Sequence, residues 1–345
     1  STHFKYRSSS ILRSLFLIAV WLTVVNMLRG APIWTALTHL GLCSLWILGY
    51  IFFQYLFEYR YKDINSIGTG FYLIFFLYSI AILYYFYDVQ IRKGRIPVLN
   101  LIYNVIVLIP WLFVLFKNNQ RRKICIAILS LVMAVLSLKR GGLIVLPLML
   151  VSYLLIEARK ENRLRSTLKM ILVLGIAFVF AIIVINHFTN GFLIARFSAE
   201  QLEGGSGRIN IYTAALENIQ NRGIVDLILG LGSGSSSRII GTGCHNEWLE
   251  FMFSFGIVGL ALYFRMILTI LLTIQKMKYM NPDYYAPSVM MCMYMVVIGM
   301  IGGIYFVHSS FFVFSFWGGA KGYLAGQRYY ENREEGLYCR VQREK

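Results

Sequence analysis

Long apolar runs, separated by short polar and basic segments, dominate the chain from residue 11 to residue 325. A helix that crosses a bilayer needs about 20 predominantly apolar residues. Runs of roughly that size occur at 11–28, 33–57, 69–87, 97–116, 124–138, 142–156, 168–187, 247–275, 286–306 and 309–325. They are continuous and do not alternate between apolar and polar positions, which favours helices over barrel strands. The pattern therefore predicts an all-α polytopic membrane protein with about ten transmembrane helices.

One segment between the runs is much longer than the others. Residues 188–246 are polar overall, so we expect a single transmembrane domain, residues 1–345, that carries this segment as a long loop. Within the loop, apolar residues recur at the spacing of one helix face, which predicts a helix over residues 208–221 that lies on the membrane surface or on the bundle. These apolar positions are Ile209, Tyr212, Leu216 and Ile219.

Composition and charge agree with a membrane class. Hydrophobic residues make up 58% of the chain and charged residues 14%, too much apolar surface for a soluble protein of 345 residues. The net charge of +17 comes from Lys and Arg in the short connections, so we expect no nucleic-acid partner. The connections on the same side of the membrane as the N-terminus carry about twice as many Lys and Arg residues as the connections on the opposite side. This bias predicts that both termini are cytoplasmic and that the loop 188–246 is extracytoplasmic.

A titratable cluster lies where the long loop enters the eighth apolar run, in the stretch "GTGCHNEWLEF". His245, Glu247 or Glu250 could act as a general base near neutral pH. Helical spacing places Asn246 and Glu250 on one face and Glu247 on another. In the alternative interpretation, His245 and Asn246 only cap the helix that begins at Glu247, and the two carboxylates stabilise its positive end.

Basic residues on the predicted outer side form a second group of candidates. Lys139 and Arg140 lie in the tight connection "SLKRGG" between two runs, and Arg208 follows the flexible stretch "GGSG". Arginine binds phosphate through two parallel hydrogen bonds and stays charged in any environment. The alternatives are arginine and lysine side chains that extend to the membrane interface, and for Arg208 a solvated loop charge.

Several motifs are missing from the sequence. The glycines of "GLGSGS" (230–235) are not followed by a Lys-Ser or Lys-Thr pair, the aspartates are isolated, and the histidines are scattered. The five cysteines contain no CxxC pair. We therefore expect no metal, no nucleotide and no other cofactor. An enzyme of this kind would act on a substrate that is already activated. The arginines favour a phosphate or diphosphate, which we expect to be bound by Arg140, Arg208, Lys139 and Asn246.

The segment "CHNEWLEFMFSFGIVGL" resembles the signature of the O-antigen polymerase and ligase family of bacterial envelope glycosyltransferases. The match falls on His245, Asn246, Leu249, Gly256 and Gly259. Three further segments are similar to family motifs: "GRINIYTAALENI" (207–219), "GLGSGS" (230–235) and "SLKRGGLIVL" (137–146). The last one has Lys139 where the family has serine. The resemblance extends over about residues 120–325.

The resemblance implies a GT-C-type fold with its active site at the outer boundary of the bacterial inner membrane. It implies transfer of glycan from undecaprenyl diphosphate to an acceptor sugar hydroxyl without metal or nucleotide sugar, with site residues that include His245, Arg140 and Arg208. We interpret the chain as a polymerase of lipid-linked repeat units, which could act with a chain-length regulator protein. The alternatives are a ligase that transfers glycan to lipid A-core or another acceptor, and a lipid-linked sugar transporter.

Overall fold

The computed structural model describes residues 9–59, 64–96, 98–160, 164–198, 208–303 and 309–343. Every regular element in these residues is helical. The helices are α1 (Ser10–Leu28), α2 (Ile33–Tyr59), α3 (Ile64–Phe86) with a π-helical extension (Tyr87–Arg92), α4 (Ile102–Leu115), α5 (Gln120–Leu136), α6 (Arg140–Lys160), α7 (Leu164–Phe188), α8 (Phe192–Ala195), α9 (Arg208–Gln220), α10 (Ile224–Leu229), α11 (Ser235–Ile239), α12 (Glu247–Met280), α13 (Pro282–Ile301) and α14 (Ser310–Arg343).

Each of the ten predicted apolar runs falls on a helix, but only seven of the described helices are long and apolar enough to cross a membrane. These are α1, α2, α3 with its extension, α6, α7, α12 and α13. The remaining three runs fall on α4, α5 and α14. Helix α4 has 14 residues, which span about 21 Å against a hydrocarbon core of about 30 Å, and it is buried on almost every side. Helix α5 carries three basic residues, Arg121 to Lys123, directly after its first residue.

The connections predicted to be outside meet at one end of the bundle. Arg29, which follows α1, forms an ion pair of 2.6 Å with Asp226 in the long loop. The Arg196 guanidinium donates to the carbonyl of Leu138, between α5 and α6, at 2.7 Å. The long loop therefore packs against two of the short connections on its own side.

The connections at the opposite end are joined by a separate ion cluster. Lys117, between α4 and α5, and Lys160, at the end of α6, bind the Asp283 carboxylate of α13 at 3.2 and 2.8 Å. The helices thus alternate between two distinct ends, as a polytopic membrane protein requires. The basic-residue count predicts which of these ends faces the cytoplasm.

Helices α2 and α14 pack closely through a stripe of glycines. A Cβ atom on Gly318 or Gly322 would collide with the backbone carbonyl of Tyr50 or Gln54, and one on Gly326 would lie 2.9 Å from the carbonyl of Phe57. Small residues every fourth position allow two helix backbones to approach in a membrane, where van der Waals packing replaces the hydrophobic effect between helices.

The predicted run 247–275 is not one straight helix. Gly256 has φ 66° and ψ −168°, which breaks α12 after its first nine residues. A Cβ atom on Gly256 would collide with the carbonyl of Ile228, and one on Gly230 would lie 2.5 Å from the amide nitrogen of Gly256. The break therefore depends on glycine at two positions far apart in the sequence, because there the backbone of the long loop crosses that of α12.

Three carbonyl groups at the break accept hydrogen bonds from other parts of the chain. The Arg222 guanidinium donates to the carbonyl of Phe253 at 2.8 Å. The amide of Gly232 donates to Ser254 at 2.8 Å, and the indole of Trp21 donates to Phe255 at 3.0 Å. An unpaired carbonyl group in the membrane costs roughly several kcal/mol. These three donors therefore stabilise the broken conformation.

The helix predicted in the loop is confirmed as α9, Arg208–Gln220. Of the predicted apolar face, Ile219 is buried but Ile209 and Leu216 are exposed, and Ala215, which lies outside that face, is buried. Ala215 and Ile219 form a small cluster with Cys244 and Phe253. Because the side chain of Ala215 is small, α9 can approach α12 closely at this position. The spacing of apolar residues alone does not predict that a small residue is buried here.

Candidate active site

Four cations from three parts of the chain converge at the end of the bundle that carries the long loop. Lys139 and Arg140 come from the start of α6, Arg196 follows α8, and Arg208 begins α9. Each lies within electrostatic range of others in the group. Burial, followed by the charges of Arg208, Arg196 and Arg140, lowers the pKa of Lys139. Burial and the charges of Arg140 and Arg208 likewise lower the pKa of Arg196.

These cations have contacts that orient them but no counter-ions in the described part of the chain. Lys139 lies over the ring of Tyr103 at 6.0 Å, and Arg196 over the ring of Phe192 at 5.6 Å. No salt bridge within the described residues includes any of the four. The Nε atom of Arg140 is buried and has no hydrogen-bond partner among those residues. The cluster is a positive site whose charge the described residues do not neutralise.

Two helices begin among these cations. Arg140 is the first residue of α6 and Arg208 the first of α9. The first amide groups of a helix have no partner within it, and its N-terminus carries a partial positive charge. Gly141 allows α6 to start here, because a Cβ atom on it would collide with the Tyr103 hydroxyl. The arrangement suits an anion with several acceptor oxygens, such as a diphosphate.

His245 lies between the cations and a polar cavity. Its backbone has φ 49°, in the left-handed region. Its side chain is exposed to solvent and its Nε2 atom lies 3.4 Å from the Thr242 hydroxyl. Partial burial of the ring, followed by the charges of Arg208 and Lys139, lowers the pKa of His245 below its ordinary value of 6.5, and Glu250 opposes this shift. The imidazole is therefore neutral at pH 7 and able to accept a proton.

The cavity beside His245 has a volume of about 310 Å³. His245, Glu247, Glu250 and His39 are among the residues that line it. The four cations of the cluster do not line this cavity. Charges are thus separated across His245, with cations on one side and two carboxylates on the other.

The first turn of α12 orders the motif residues. The side-chain Oδ1 atom of Asn246 caps the helix by accepting from the backbone amides of Trp248 and Leu249 at 3.0 and 3.1 Å. Its side-chain amide donates to the carbonyl of Met300 at 3.2 Å. The predicted cap is confirmed for Asn246, and both polar ends of its side chain are engaged within the protein.

The two carboxylates share the cavity, although helical spacing assigned them to different faces. Glu247 is buried, with 2% of its surface exposed, and it lies against Gly303, which follows α13. The loop before His245 holds the Glu250 carboxylate through hydrogen bonds from Ser236 and Cys244. The two carboxylates meet because residues 302 and 303 and the loop close around the helix N-terminus, which brings two of its faces into one cavity.

Three site residues were not singled out from the sequence. Tyr103 and Arg196 contact or approach the cations, and His39 of α2 lines the cavity with its Nδ1 atom 2.6 Å from the Ser233 hydroxyl. A signal for His39 existed, because an ionisable residue within an apolar run is unusual and often functional. Arg196 resembled an ordinary basic loop residue, and only the fold brings it to Arg140.

Within the described residues, no group of three or more His, Cys, Asp or Glu side chains could hold a metal ion.

A known protein family matches the part of the chain that carries most of the site. Residues 125–264 match the O-antigen ligase family model, Wzy_C. The match covers less than half of the chain but includes Arg140, Arg208 and His245.

The O-antigen ligase match supports the resemblance that the motifs predicted. It supports a membrane-bound, glycosyltransferase-like function of the O-antigen polymerase or ligase type, and it favours neither of the two over the other. No curated protein matches the chain significantly. His39 and Tyr103 precede the matched residues and Gly302 and Gly303 follow them, so segments on both sides of the matched region complete the site.

Proposed function

We propose that the protein is a glycosyltransferase that moves a glycan from a polyprenyl diphosphate, such as undecaprenyl diphosphate, to a sugar hydroxyl of an acceptor. The convergence of Lys139, Arg140, Arg196 and Arg208 beside His245 carries this proposal. A cluster of half-buried cations without counter-ions among the described residues is costly unless an anion completes it. A lipid-linked donor presents its diphosphate at headgroup depth and its glycan in water, at the mouth of the bundle.

In the proposed reaction, the acceptor oxygen forms a bond to the anomeric carbon of the donor glycan. The bond between that carbon and the diphosphate oxygen breaks, and polyprenyl diphosphate leaves. His245 takes the proton of the attacking hydroxyl. Arg140, Arg208 and Lys139 stabilise the negative charge that develops on the leaving phosphate, because their charges are already in place before the reaction.

The remaining site residues have supporting roles in this proposal. Arg196 adds a fourth charge and holds the carbonyl of Leu138 next to Lys139. Asn246, which the sequence assigned to the diphosphate, uses both ends of its side chain for the helix cap and Met300, so we assign it to positioning. Glu247 lines the cavity opposite the cations, where a carboxylate can accept hydrogen bonds from acceptor hydroxyls.

The proposal includes the finer features that the sequence predicted. These are a GT-C-type architecture with about ten spans, both termini in the cytoplasm and the long loop outside a bacterial inner membrane. The acceptor can be the growing repeat-unit chain, in a polymerase, or lipid A-core, in a ligase. A transporter of lipid-linked sugars receives less support: its expected broken helix exists at Gly256, but the carbonyls there are occupied by protein donors and do not line a path.

The test is a transfer assay with purified protein in lipid nanodiscs and a labelled lipid-linked oligosaccharide. We expect products with two or more repeat units from a polymerase, and a product only after addition of lipid A-core from a ligase. Transfer should continue in a metal chelator. Absence of any transfer, with donor moving intact across a proteoliposome membrane, would contradict the proposal and favour the transporter.

His245 is tested in the same assay by comparing binding with turnover. If it is the base, His245→Ala binds the labelled donor but loses about 10²- to 10⁴-fold in turnover. Glu247→Gln should lose less. Weaker donor binding with full turnover at saturation would instead place His245 with the phosphate-binding cations.

A further inference from the structure

The Glu250 carboxylate accepts hydrogen bonds from three donors in different parts of the site. The Ser236 hydroxyl of α11 lies 2.9 Å from each carboxylate oxygen. The Ser254 hydroxyl, one turn along α12, donates to Oε1 at 2.8 Å. The backbone amide of Cys244 donates to Oε2 at 3.0 Å. Both carboxylate oxygens are thus in contact with donors, although the Ser236 hydroxyl has only one hydrogen to share between them.

Two of the three donors, Ser236 and the Cys244 amide, belong to the segment that ends at His245. Ser236 and Cys244 are buried, and Cys244 is the residue directly before His245. The backbone of His245 is in the left-handed conformation, which a non-glycine residue adopts at an energetic cost unless its surroundings hold it. The bond from Cys244 to Glu250 lies one residue before this position, and the Tyr212 hydroxyl donates to the His245 carbonyl at 3.4 Å.

We propose that Glu250 is a positioning residue that fixes the backbone and imidazole of His245, and that it does not take the proton from the acceptor. This inference rests on the proposed function. Hydrogen bonds from Ser236, Ser254 and the Cys244 amide stabilise the charged form of the carboxylate, so taking a substrate proton would weaken all three. The bonds of Glu250 to α11 and α12 close the loop 236–246 onto the helix that His245 precedes, which sets the distance of the imidazole from the cations.

The charges around His245 provide a signature of this role. Arg208 of α9 and Lys139 before α6 face it from one side, and Glu250 of α12 from the other. His39 of α2 and Glu247 of α12 line the same cavity. Removal of the Glu250 charge leaves the cations unopposed, so the pKa of His245 falls further. The acid limb of the pH–rate profile then moves to lower pH.

The experiment compares Glu250→Gln, Glu250→Ala and Ser236→Ala with wild-type protein in nanodiscs. The matched control is Glu217→Gln, which changes the same charge on an exposed residue of α9. Hydrogen exchange of the 236–246 amides is measured without substrate. We expect these amides to exchange faster in the three site variants and at the wild-type rate in the control.

The transfer assay supplies the second readout. Glu250→Gln should lower kcat about 10- to 100-fold, the size expected for hydrogen bonds to a charged group, with little change in the KM for donor. Its acid limb should move to lower pH. Ser236→Ala, which keeps the carboxylate, should lower kcat less and leave the limb in place.

Two results would overturn the inference. If Glu250→Gln abolishes turnover while exchange of 236–246 stays as in wild type, Glu250 is the base. If Glu250→Ala matches wild type in exchange and rate, it has no role. If wild-type protein transfers no glycan, the proposed function fails, and the exchange measurements still decide whether Glu250 holds the loop.

Discussion

Arg140 combines two properties that are rarely found together in a structural arginine. Its guanidinium lies within range of another cation, Arg208, and its Nε atom is buried without a hydrogen-bond partner among the described residues. A residue that only anchored the helix at the membrane interface would extend its guanidinium into water or to a lipid phosphate. Repulsion and missing bonds are both relieved when an anion binds, and we interpret Arg140 as part of the diphosphate site for this reason.

Arg140→Ala should lower the transfer rate about 100-fold, since removal of one preorganised donor of this type costs on the order of 3 kcal/mol. Arg140→Lys should recover only part of the rate, because an ammonium keeps the charge but lacks the planar pair of donors. The measurement is kcat/KM with the lipid-linked donor. Arg238→Ala, which changes an exposed arginine of the long loop, is the control. Wild-type activity of Arg140→Ala would remove this residue from the site.

The pH dependence of transfer tests His245 as the base. Because burial, Arg208 and Lys139 lower the pKa of His245 below 6.5 in the folded protein, kcat/KM should rise with pH and reach half its maximum below that value. Lys139→Met removes a positive charge, so the pKa of His245 rises and the half-point moves to higher pH. The profile is measured from about pH 5 to 8. An acid limb that survives in the residual activity of His245→Ala would assign it to another group.

At the scale of elements, the break in α12 builds the site. It separates the first turns, which carry Glu247 and Glu250, from the apolar remainder of the helix, and its carbonyls bind Trp21, Arg222 and Gly232. Helix α1 and the long loop are therefore joined to α12 at the point where the helix bends. The conformation of Gly256 belongs to a region that only glycine occupies readily.

Gly256→Ala should destabilise the protein by about 1–3 kcal/mol and lower transfer, because the added methyl group strains the backbone and collides with the carbonyl of Ile228. Thermal unfolding in detergent measures the first effect and the transfer assay the second. Gly175→Ala is the control, since that helical glycine of α7 has open space around it and alanine favours helix. Equal stability of the two variants would show that the break does not depend on glycine.

At the scale of the whole molecule, two ends with different charge chemistry face opposite directions. One end carries the cavity, the long loop and the four cations that have no counter-ion among the described residues. The other is closed by the ion cluster of Lys117, Lys160 and Asp283. A reaction on a lipid-linked glycan needs the first end outside, where the positive-inside rule also places it.

Single cysteines can test this orientation in intact cells. Asn221→Cys, on the loop after α9, should react with a membrane-impermeant thiol reagent, and Lys276→Cys, near the opposite end, should react only after permeabilisation. Both wild-type residues are exposed. The background lacks Cys125, which is exposed, and Cys339. The reverse pattern of labelling would invert the topology and remove the outer-face reaction.

The sequence by itself determined the class of the protein, the position of its helices and the residues of its motifs. Apolar runs, the helix in the loop and the cap at Asn246 depend on neighbours within a few turns, so local pattern is sufficient to predict them. His245, Arg140 and Arg208 could be selected because ionisable residues of these types lie beside apolar runs or in the long loop, and because they fall in segments that resemble family motifs.

Only the tertiary structure decided how these parts meet. The break at Gly256 requires the approach of Gly230, the site includes Arg196 and His39 from distant segments, and Glu250 is occupied by Ser236 and Cys244. Each of these features is a contact between residues that the chain separates by a loop or by several helices. Spacing along the sequence records which faces a helix presents, but not which partners the fold brings to them, and the chemistry of the site depends on those partners.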